Sequence, residues 1–283
     1  TVVDLHLHTT ASDGLLKPEE VVDRAHKAGI RNFSVTDHDT MAGVSAAAAA
    51  ASKLGLDFLP GIEITAVIDG RDVHVLGYFL EISPPGLDLF LRAQRDDRIA
   101  RARAIAEKLK ALGMPIPIDS IVESTRAKKQ SLARPLLARA LADAGYVNGL
   151  KEAFDRWIGD RGPAYVSRKG SSPEDVVRLI SKAGGVSSLA HPGLLKRDDL
   201  VPSLKRAGLA ALEIYHPGHN RSKQSHYRKL ANRWKLLMTG GSDFHGDDHH
   251  RASSFGSVGL PDKEFRLLAE RLHAAHSAVH TCR

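Results

Sequence analysis

Cysteine is almost absent from this chain of 283 residues, which carries one, Cys282. A single cysteine excludes an internal disulfide framework and is typical of a reducing compartment, so we expect a cytoplasmic protein. Long apolar runs are also missing, because the longest, GVSAAAAAAS, is too short to cross a bilayer. No basic segment followed by an apolar one opens the sequence, and nothing therefore predicts export or membrane attachment.

Aromatic residues are scarce, at 5% of the chain, which argues against a broad stacking platform for single-stranded nucleic acid. The chain also lacks G-x-S-x-G, C-x5-R and G-x-x-x-x-G-K-[ST] signatures, so neither a serine or cysteine nucleophile nor a P-loop is expected. Basic charge is in excess: 40 Lys and Arg against 33 Asp and Glu give a net charge of +7. This excess favours an acidic partner such as a phosphate ester, a nucleotide or a nucleic acid.

Strand patterns alternate with helical patterns along most of the chain. VVDLHLH precedes a helix expected from Pro18 to about Ala28, with Gly29 as its stop. NFSVTDHD precedes an alanine-rich helix from about Met41 to Leu54. Strand patterns return in DFLPGIEITA, DVHVLGYFL, GVSSLAHP, LAALEIYHP and LLMTGGSDFHG. The alternation predicts a parallel α/β barrel or a doubly wound sheet.

A run of three helical patterns without a strand interrupts this alternation between Pro84 and Tyr165. The patterns are LDLFLRAQRDDRIARARAIAEKLKALG, SLARPLLARALADAG and LKEAFDRWIG. We therefore predict an inserted helical cap domain over residues 84–165, which leaves residues 1–83 and 166–283 for the domain that contains the strands.

Two histidines lie two residues apart in the first predicted strand. If Val2 to His8 is extended, alternation points His6 and His8 to one face, and Asp13 enters from the following turn. Neutral imidazoles beside a carboxylate are natural ligands for a divalent ion such as zinc, manganese or iron. Two hydrogen-bonded histidines in an ordinary strand would give the same pattern, so this segment alone leaves both interpretations open.

Histidines and acids recur near the carboxyl ends of the other candidate strands. Loops at these ends build the active sites of α/β barrels, so we expect the side chains to converge in space. Six histidines and three carboxylates are too many for one ion and suit two or three, with carboxylates bridging. The predicted metal ligands are His6, His8, Asp13, His38, Glu63, His74, His191, Asp243 and His245.

The combination of DLHLHTTASDG, TDHDT, PGIEIT with HVLGYF, LAHPG and GGSDFHG resembles the PHP (polymerase and histidinol phosphatase) family of metallophosphoesterases. The helical insertion and FDRWIGDRGPAYV resemble its subgroup of TrpH-type nucleotide phosphatases and short-RNA exonucleases. One departure is visible: relatives tend to have Arg-Pro-His in the inserted segment, whereas ARPLL places Leu136 after Pro135. Any role of that histidine therefore does not transfer to this chain.

The resemblance implies a distorted (β/α)7 barrel with a site for three ions, carried by residues 1–83 and 166–283. Mn²⁺ is the expected metal, with Zn²⁺ and Fe²⁺ as alternatives. By analogy, His6, His8, Glu63 and Asp243 would hold one ion, Glu63, His74 and His191 a second, and Asp13, His38 and His245 a third.

Clustered divalent ions lower the pKa of a bridging water and neutralise phosphoryl oxygens, so we expect hydrolysis of a phosphate ester. Glu63 and Asp243 are the expected catalytic carboxylates, since they would bridge or anchor ions at the centre. In EIYHPGHNR, His216 and His219 follow a strand at the same end and are expected to contact substrate. His219 would protonate the leaving alkoxide, although both histidines could merely line the mouth.

Two basic residues are candidates for binding a second phosphate. Arg134 begins an inserted helix and is expected to clamp phosphate bidentately, the alternative being an arginine on the helix surface. Lys169, in SRKGSSPED, is a similar candidate.

Four arginines at three-residue spacing could form a stripe along a polyanion, but such a run is more often a solvated helix face. They are Arg92, Arg95, Arg98 and Arg101, with Asp96 and Asp97 partly cancelling their charge.

The leading prediction is a metal-dependent phosphoesterase of nucleotides, acting on a nucleoside 3′,5′-bisphosphate or releasing 5′ nucleotides from short RNA. A phosphatase for histidinol phosphate or another small phosphomonoester would use the same metal site. A non-catalytic metal-binding accessory module is the alternative of another class. We expect a small phosphorylated substrate and no obligate protein partner.

Overall fold

A computed structural model describes residues 2–127, 130–247 and 251–281, so Cys282 lies outside the described residues. Within these ranges the chain forms eight strands and eleven α-helices. The strands are β1 (Val2–Leu7), β2 (Ile30–Val35), β3 (Asp57–Phe58), β4 (Gly61–Ile68), β5 (Arg71–Tyr78), β6 (Val186–Leu189), β7 (Ala211–Tyr215) and β8 (Leu237–Gly240). The helices are α1 (Pro18–Lys27), α2 (Val44–Leu54), α3 (Leu87–Ala111), α4 (Ile118–Ala127), α5 (Arg134–Asp143), α6 (Leu150–Ala153), α7 (Pro173–Lys182), α8 (Pro192–Leu195), α9 (Val201–Ala207), α10 (Arg221–Arg233) and α11 (Asp262–Thr281).

The helix boundaries follow local sequence signals. Helix α1 has Pro18 at its first position, and the Glu20 carboxylate accepts a hydrogen bond of 2.7 Å from the Lys17 backbone N–H. Gly29, with a φ of +74°, then turns the chain out of the helix. Helix α7 also has a proline, Pro173, at its first position. The Ser172 hydroxyl before it accepts a hydrogen bond from the Asp175 backbone N–H.

The strands form two sheets, one in the order β1-β2-β3 and one in the order β4-β5-β6-β7-β8. The prediction of an all-parallel arrangement is wrong, because β5 runs antiparallel to both β4 and β6. Asp69 and Gly70 connect β4 to β5 with positive φ values of 51° and 72°, the conformation of a tight two-residue hairpin turn. The fold is therefore mixed α/β.

The predicted closed barrel is not confirmed, because neither sheet closes on itself. In the described chain, one parallel bridge between Leu7 and Phe244 joins the end of β1 to the loop after β8. Another parallel bridge, between His38 and Glu63, joins the loop after β2 to β4. These two bridges bring the edges of both sheets to the same place as the predicted metal ligands.

The helices between β5 and α7 have a hydrophobic core of their own. Leu109 of α3, Val122 of α4 and Leu141 of α5 pack in this cluster, which is separate from the cluster under the strands. A short π-helical turn, Phe154–Ile158, follows α6 in the same region. The division into domains at residues 84 and 165 stays a prediction. In the described ranges, no helix combines the length and apolarity needed to cross a membrane.

Candidate metal centre and its cavity

His6 is on strand β1 and His8 directly follows it, and both side chains are completely buried. Their rings lie 5.2 Å apart, as expected for residues on one face of a strand. His6 Nε2 is 3.3 Å from a Glu63 oxygen, and His8 Nε2 is 3.2 Å from an Asp243 oxygen. The histidine pair therefore faces carboxylates that come from β4 and from the loop after β8.

The other predicted ligands surround this pair, although not all come from carboxyl ends of strands. Glu63 is near the start of β4, and His74 is in the middle of β5, because the hairpin reverses the chain. His74 Nδ1 and His191 Nε2 lie 2.9 and 3.2 Å from Glu63 Oε1. In the described residues, three groups have ligand atoms within 4.8 Å of one another: His8, Asp13, His38 and His245; His6, His8 and Asp243; His38, Glu63 and His74.

These groups differ from the distribution implied by the family resemblance. His8 and His38 each belong to two groups, and His191 contacts Glu63 without completing a group. The nine side chains nevertheless lie in one cluster, and their assignment to particular ions stays a prediction.

Buried ring nitrogens that lie close to carboxylate oxygens without forming a hydrogen bond fit a centre for metal ions. His6 Nε2, both ring nitrogens of His8, His38 Nδ1 and His74 Nδ1 are buried and make no hydrogen bond within the described structure. Buried polar atoms without a partner are costly, so several at one point need a ligand. Imidazole nitrogens with carboxylate oxygens are the donor set that Zn²⁺, Mn²⁺ and Fe²⁺ accept.

The charges of the cluster favour a bound cation. Burial alone would raise the pKa values of Asp13, Glu63 and Asp243, but the neighbouring histidines hold all three well below their usual range. Burial lowers the pKa of His38 to about 3 despite Glu63 beside it. Burial also opposes charge on His8, yet Asp243 and Glu63 raise its pKa to about 10. The ionised carboxylates therefore require positive charge at this point, from a proton or from an ion.

Two residues that orient the ligands were assigned no such role from the sequence. Glu213 is buried in β7, where it accepts hydrogen bonds of 2.8 Å from His6 Nδ1 and 2.7 Å from the His191 backbone N–H. This interaction fixes the proton on His6 Nδ1 and leaves Nε2 for a metal. The sequence did contain a signal for this role: LAALEIY places a carboxylate within an apolar strand, and a buried carboxylate needs a partner.

His216 contacts the predicted ligand Asp243, and its expected contact with substrate stays a prediction. It is 1% exposed, and its Nδ1 accepts a 2.9 Å hydrogen bond from the Gly218 N–H. The proton must then be on Nε2, which donates to Asp243 over 3.1 Å.

The role of His219 as a proton donor stays a prediction, and both of its ring nitrogens form hydrogen bonds with backbone groups. Its Nδ1 donates to the Ile214 carbonyl over 2.9 Å, and its Nε2 accepts from the Gly193 N–H over 3.0 Å. Burial lowers the pKa of His219, and its ring stacks on Tyr227. Protonation of a leaving group by His219 would therefore require one of these two hydrogen bonds to break.

An arginine-rich cavity of about 400 Å³ opens beside the metal cluster, and we call it the inner cavity. Asp13, His38 and His74 form its metal side. The remaining lining includes Arg98, Arg101, Arg134, Arg168, Ile105, Leu137 and Phe154.

The interpretation of the arginine stripe as a solvated face is wrong for two of its members. The Arg98 side chain is 9% exposed and donates to Asp39 and Thr65. The Arg101 side chain is 11% exposed and donates to the Val166 carbonyl. Both therefore line the cavity rather than the solvent face, because Asp39, Thr65 and Val166, which lie outside the inserted helices, contact this part of α3.

Arg134 lines the inner cavity and Lys169 does not, while the roles of both in binding phosphate stay predictions. The Arg134 guanidinium pairs with Asp160 at 2.9 Å, lies 3.7 Å from Asp72, and lines both the inner cavity and the space beside His191. Lys169 is exposed and does not line the inner cavity, while its neighbour Arg168 is buried there and donates to Asp39. The residue pattern of this loop did not indicate which of Arg168 and Lys169 would be buried.

The fold and the site together define a mixed α/β protein with buried clusters of histidines and carboxylates that could hold metal ions. A family model for the PHP domain matches residues 4–94. The chain is 34% identical over 95% of its length to a phosphoribosyl 1,2-cyclic phosphate 1,2-diphosphodiesterase of Eggerthella lenta, all of which is covered. It is 33% identical to a 3′,5′-nucleoside bisphosphate phosphatase of Chromobacterium violaceum, covering 86% of this chain and 87% of the relative.

A 5′-3′ exoribonuclease of Haemophilus influenzae is 32% identical, over 86% of this chain and 89% of its own. A crystal structure from Bifidobacterium adolescentis, of a protein assigned as a metal-dependent phosphoesterase, superposes with a TM-score of 0.86. It is 30% identical and covers 95% of both chains. The chain belongs to the PHP family, and the predicted class, a hydrolase of phosphate esters, is confirmed.

Proposed function

We propose that this chain is a metal-dependent phosphoesterase of nucleotides that carry a second phosphate, such as nucleoside 3′,5′-bisphosphates or 5′-phosphorylated short RNA. The observation that carries the proposal is the position of Arg134, which faces both the metal cluster and the inner cavity. The names of two relatives, a 3′,5′-nucleoside bisphosphate phosphatase and a 5′-3′ exoribonuclease, support the proposal.

The nine clustered side chains would hold two or three ions, for which Mn²⁺ is the proposed metal. When bound, such ions lower the pKa of water and neutralise phosphoryl oxygens. Glu63 and Asp243 contribute charge at the centre, since each faces several histidines. Arg251 contacts Asp243 and lines the space beside His191. It would supply another positive group for the phosphate.

The inner cavity offers separate surfaces for the parts of a nucleotide. Arg134 lies at its rim with a side chain that is 22% exposed, so it can exchange Asp160 for a phosphate. Ile105, Leu137 and Phe154 form an apolar wall on which a base or ribose can pack. A monophosphate would use the metal centre and this wall but would leave Arg134 paired with Asp160.

We also propose that residues 84–165 form a cap that supplies substrate contacts and no metal ligands. Residues 1–83 and 166–283 would form the metal-binding domain. Its two open sheets, bridged at Leu7–Phe244 and His38–Glu63, would correspond to an interrupted (β/α)7 barrel.

The proposal is tested by measuring kcat/KM for a nucleoside 3′,5′-bisphosphate and the matching monophosphate, with added Mn²⁺. Removing a charged interaction worth about 1.5 to 3 kcal/mol should make Arg134→Ala roughly 10- to 150-fold slower on the bisphosphate. Because Arg134 is partly exposed, we expect a value near the lower end. The monophosphate should change little.

The matched control is Arg139→Ala, on the same helix but outside the inner cavity. Equal losses of Arg134→Ala on both substrates would show that Arg134 supports the cap or the reacting phosphate. The description as a general phosphomonoesterase would then replace the proposal.

A further inference from the structure

A second groove adjoins the inner cavity, since Leu132 lines both. Its volume of about 610 Å³ exceeds that of the inner cavity. It lies between the loop after β2, the first half of α3 and the end of α4. We call it the outer groove and define it by Thr40, Ser45, Leu91, Arg92, Arg95 and Arg126.

The arginine row of α3 connects the two spaces. Residues three apart on a helix are displaced by about 4.5 Å along the axis and by about 60° around it. The row therefore winds around α3, so that Arg98 and Arg101 line the inner cavity while Arg92 and Arg95 line the outer groove. Its four members span about 13 Å of helix, from the metal side outward.

Within the part of the chain that the structure describes, the arginines of the outer groove are not paired with carboxylates, unlike Arg98 in the inner cavity. Arg98 is held by Asp39, whereas Arg92, Arg95 and Arg126 form no ion pair among the described residues. Asp88 and Asp96 also line the groove, so it carries three positive groups against two negative ones. Guanidinium groups that are solvated and unpaired are available to an anionic ligand.

We propose that the outer groove binds the phosphate backbone of an oligonucleotide whose terminal nucleotide occupies the inner cavity. The inference rests on the proposed function and extends it by assigning a second site, the outer groove, to the part of the strand beyond the terminal nucleotide. A backbone ligand fits because its charges repeat along the direction of the arginine row. No aromatic side chain is found among the described residues that line the groove, so binding should depend little on base identity.

The test compares adenosine 3′,5′-bisphosphate with 5′-phosphorylated pentaadenylate as substrates of wild type and of the double variant Arg92→Ala/Arg95→Ala. We expect kcat/KM for the pentanucleotide to fall about tenfold, while that for the bisphosphate stays within about twofold. The dependence of log kcat/KM on log salt should become shallower by roughly 0.7 for each phosphate that the variant no longer neutralises. Arg92→Lys/Arg95→Lys should keep most of the pentanucleotide activity.

Arg103→Ala is the matched control, because Arg103 is on α3, pairs with Asp119 and lines neither space. Equal losses of the double variant on both substrates, or no loss on the pentanucleotide, would overturn the inference. Competition by pentaglutamate as effective as that by pentaadenylate would also overturn it, since the groove would then bind any polyanion.

Failure of the proposed function is distinguishable from failure of the groove. If wild type hydrolyses neither nucleotide, fluorescence anisotropy of labelled pentaadenylate still measures the groove directly. Weaker binding by Arg92→Ala/Arg95→Ala than by Arg103→Ala would support it, and equal binding would refute it.

Discussion

The proton positions of two buried histidines decide which nitrogens face the metal centre. Glu213 accepts a hydrogen bond from His6 Nδ1, and the Gly218 N–H donates one to His216 Nδ1, so each ring has one defined orientation. Burial opposes the charge of Glu213, but His6 beside it lowers the pKa of this carboxyl to about 2. A permanent negative charge therefore stands behind the His6 ligand and makes it a better donor.

We expect Glu213→Gln to weaken Mn²⁺ binding by roughly 10- to 100-fold, because an amide cannot accept both hydrogen bonds that the carboxylate accepts. Isothermal titration with Mn²⁺ measures the effect. Glu107→Gln, an exposed change on α3, is the control and should bind as wild type does. Unchanged affinity in Glu213→Gln would show that Glu213 does not position the ligand.

Helix α3 links the core of the inserted segment to the cavity. Leu109, in its last turns, is completely buried in that core, while Arg98 and Arg101, which precede it on the same helix, line the inner cavity. The fluorescence of the two tryptophans reports on two different hydrophobic cores. Trp157 packs on the core of the insertion, and Trp234 packs on the core under the strands. Unfolding of the two cores can therefore be followed separately.

In a Trp234→Phe background, Leu109→Ala should lower the free energy of unfolding reported by Trp157 fluorescence by about 2 to 5 kcal/mol, through reduced burial and a cavity. Urea denaturation provides the measurement. Leu89→Ala, also on α3 but 80% exposed, should change it by less than about 0.5 kcal/mol. Similar effects of the two changes would contradict the packing described for α3.

At the scale of the whole molecule, the metal centre joins distant parts of the chain. Its predicted ligands extend from His6 to His245 and come from both sheets, so the complete donor set exists only when the chain is folded. A ligand that binds only the folded state stabilises it by mass action. Metal binding and global stability should therefore be coupled.

Mn²⁺ at about 100 times its Kd should stabilise the protein by about 2.7 kcal/mol and raise Tm by roughly 5 to 11 °C. Differential scanning fluorimetry with and without Mn²⁺ measures the shift. Asp243→Asn should lose most of the shift, together with bound metal and hydrolysis, because Asp243 faces His6, His8 and His216. An Asp243→Asn protein with full activity would refute the role of this carboxylate.

Some features of the site were accessible from local sequence because they depend on short-range geometry. The period of a strand indicated that His6 and His8 share a face, and Pro18 and Gly29 marked the ends of α1 to within a residue or two. Other features depended on partners far away in the chain. The pattern around Arg98 and Arg101 indicated surface residues, but Thr65 and Val166 accept hydrogen bonds from them and bury them. The backbone partners of His219 likewise could not be found from local sequence.

The sequence by itself determined the family, the chemical class and the residue types of the centre, because a donor set of histidines and carboxylates is a property of composition and spacing. Only the tertiary structure decided that β5 runs antiparallel, that the sheets stay open, and that Arg168 rather than Lys169 faces the inner cavity. It also decided that Glu213 and His216 stand behind the metal ligands. The physical reason is that strand pairing, burial and hydrogen bonding between distant residues arise from packing, which no local pattern encodes.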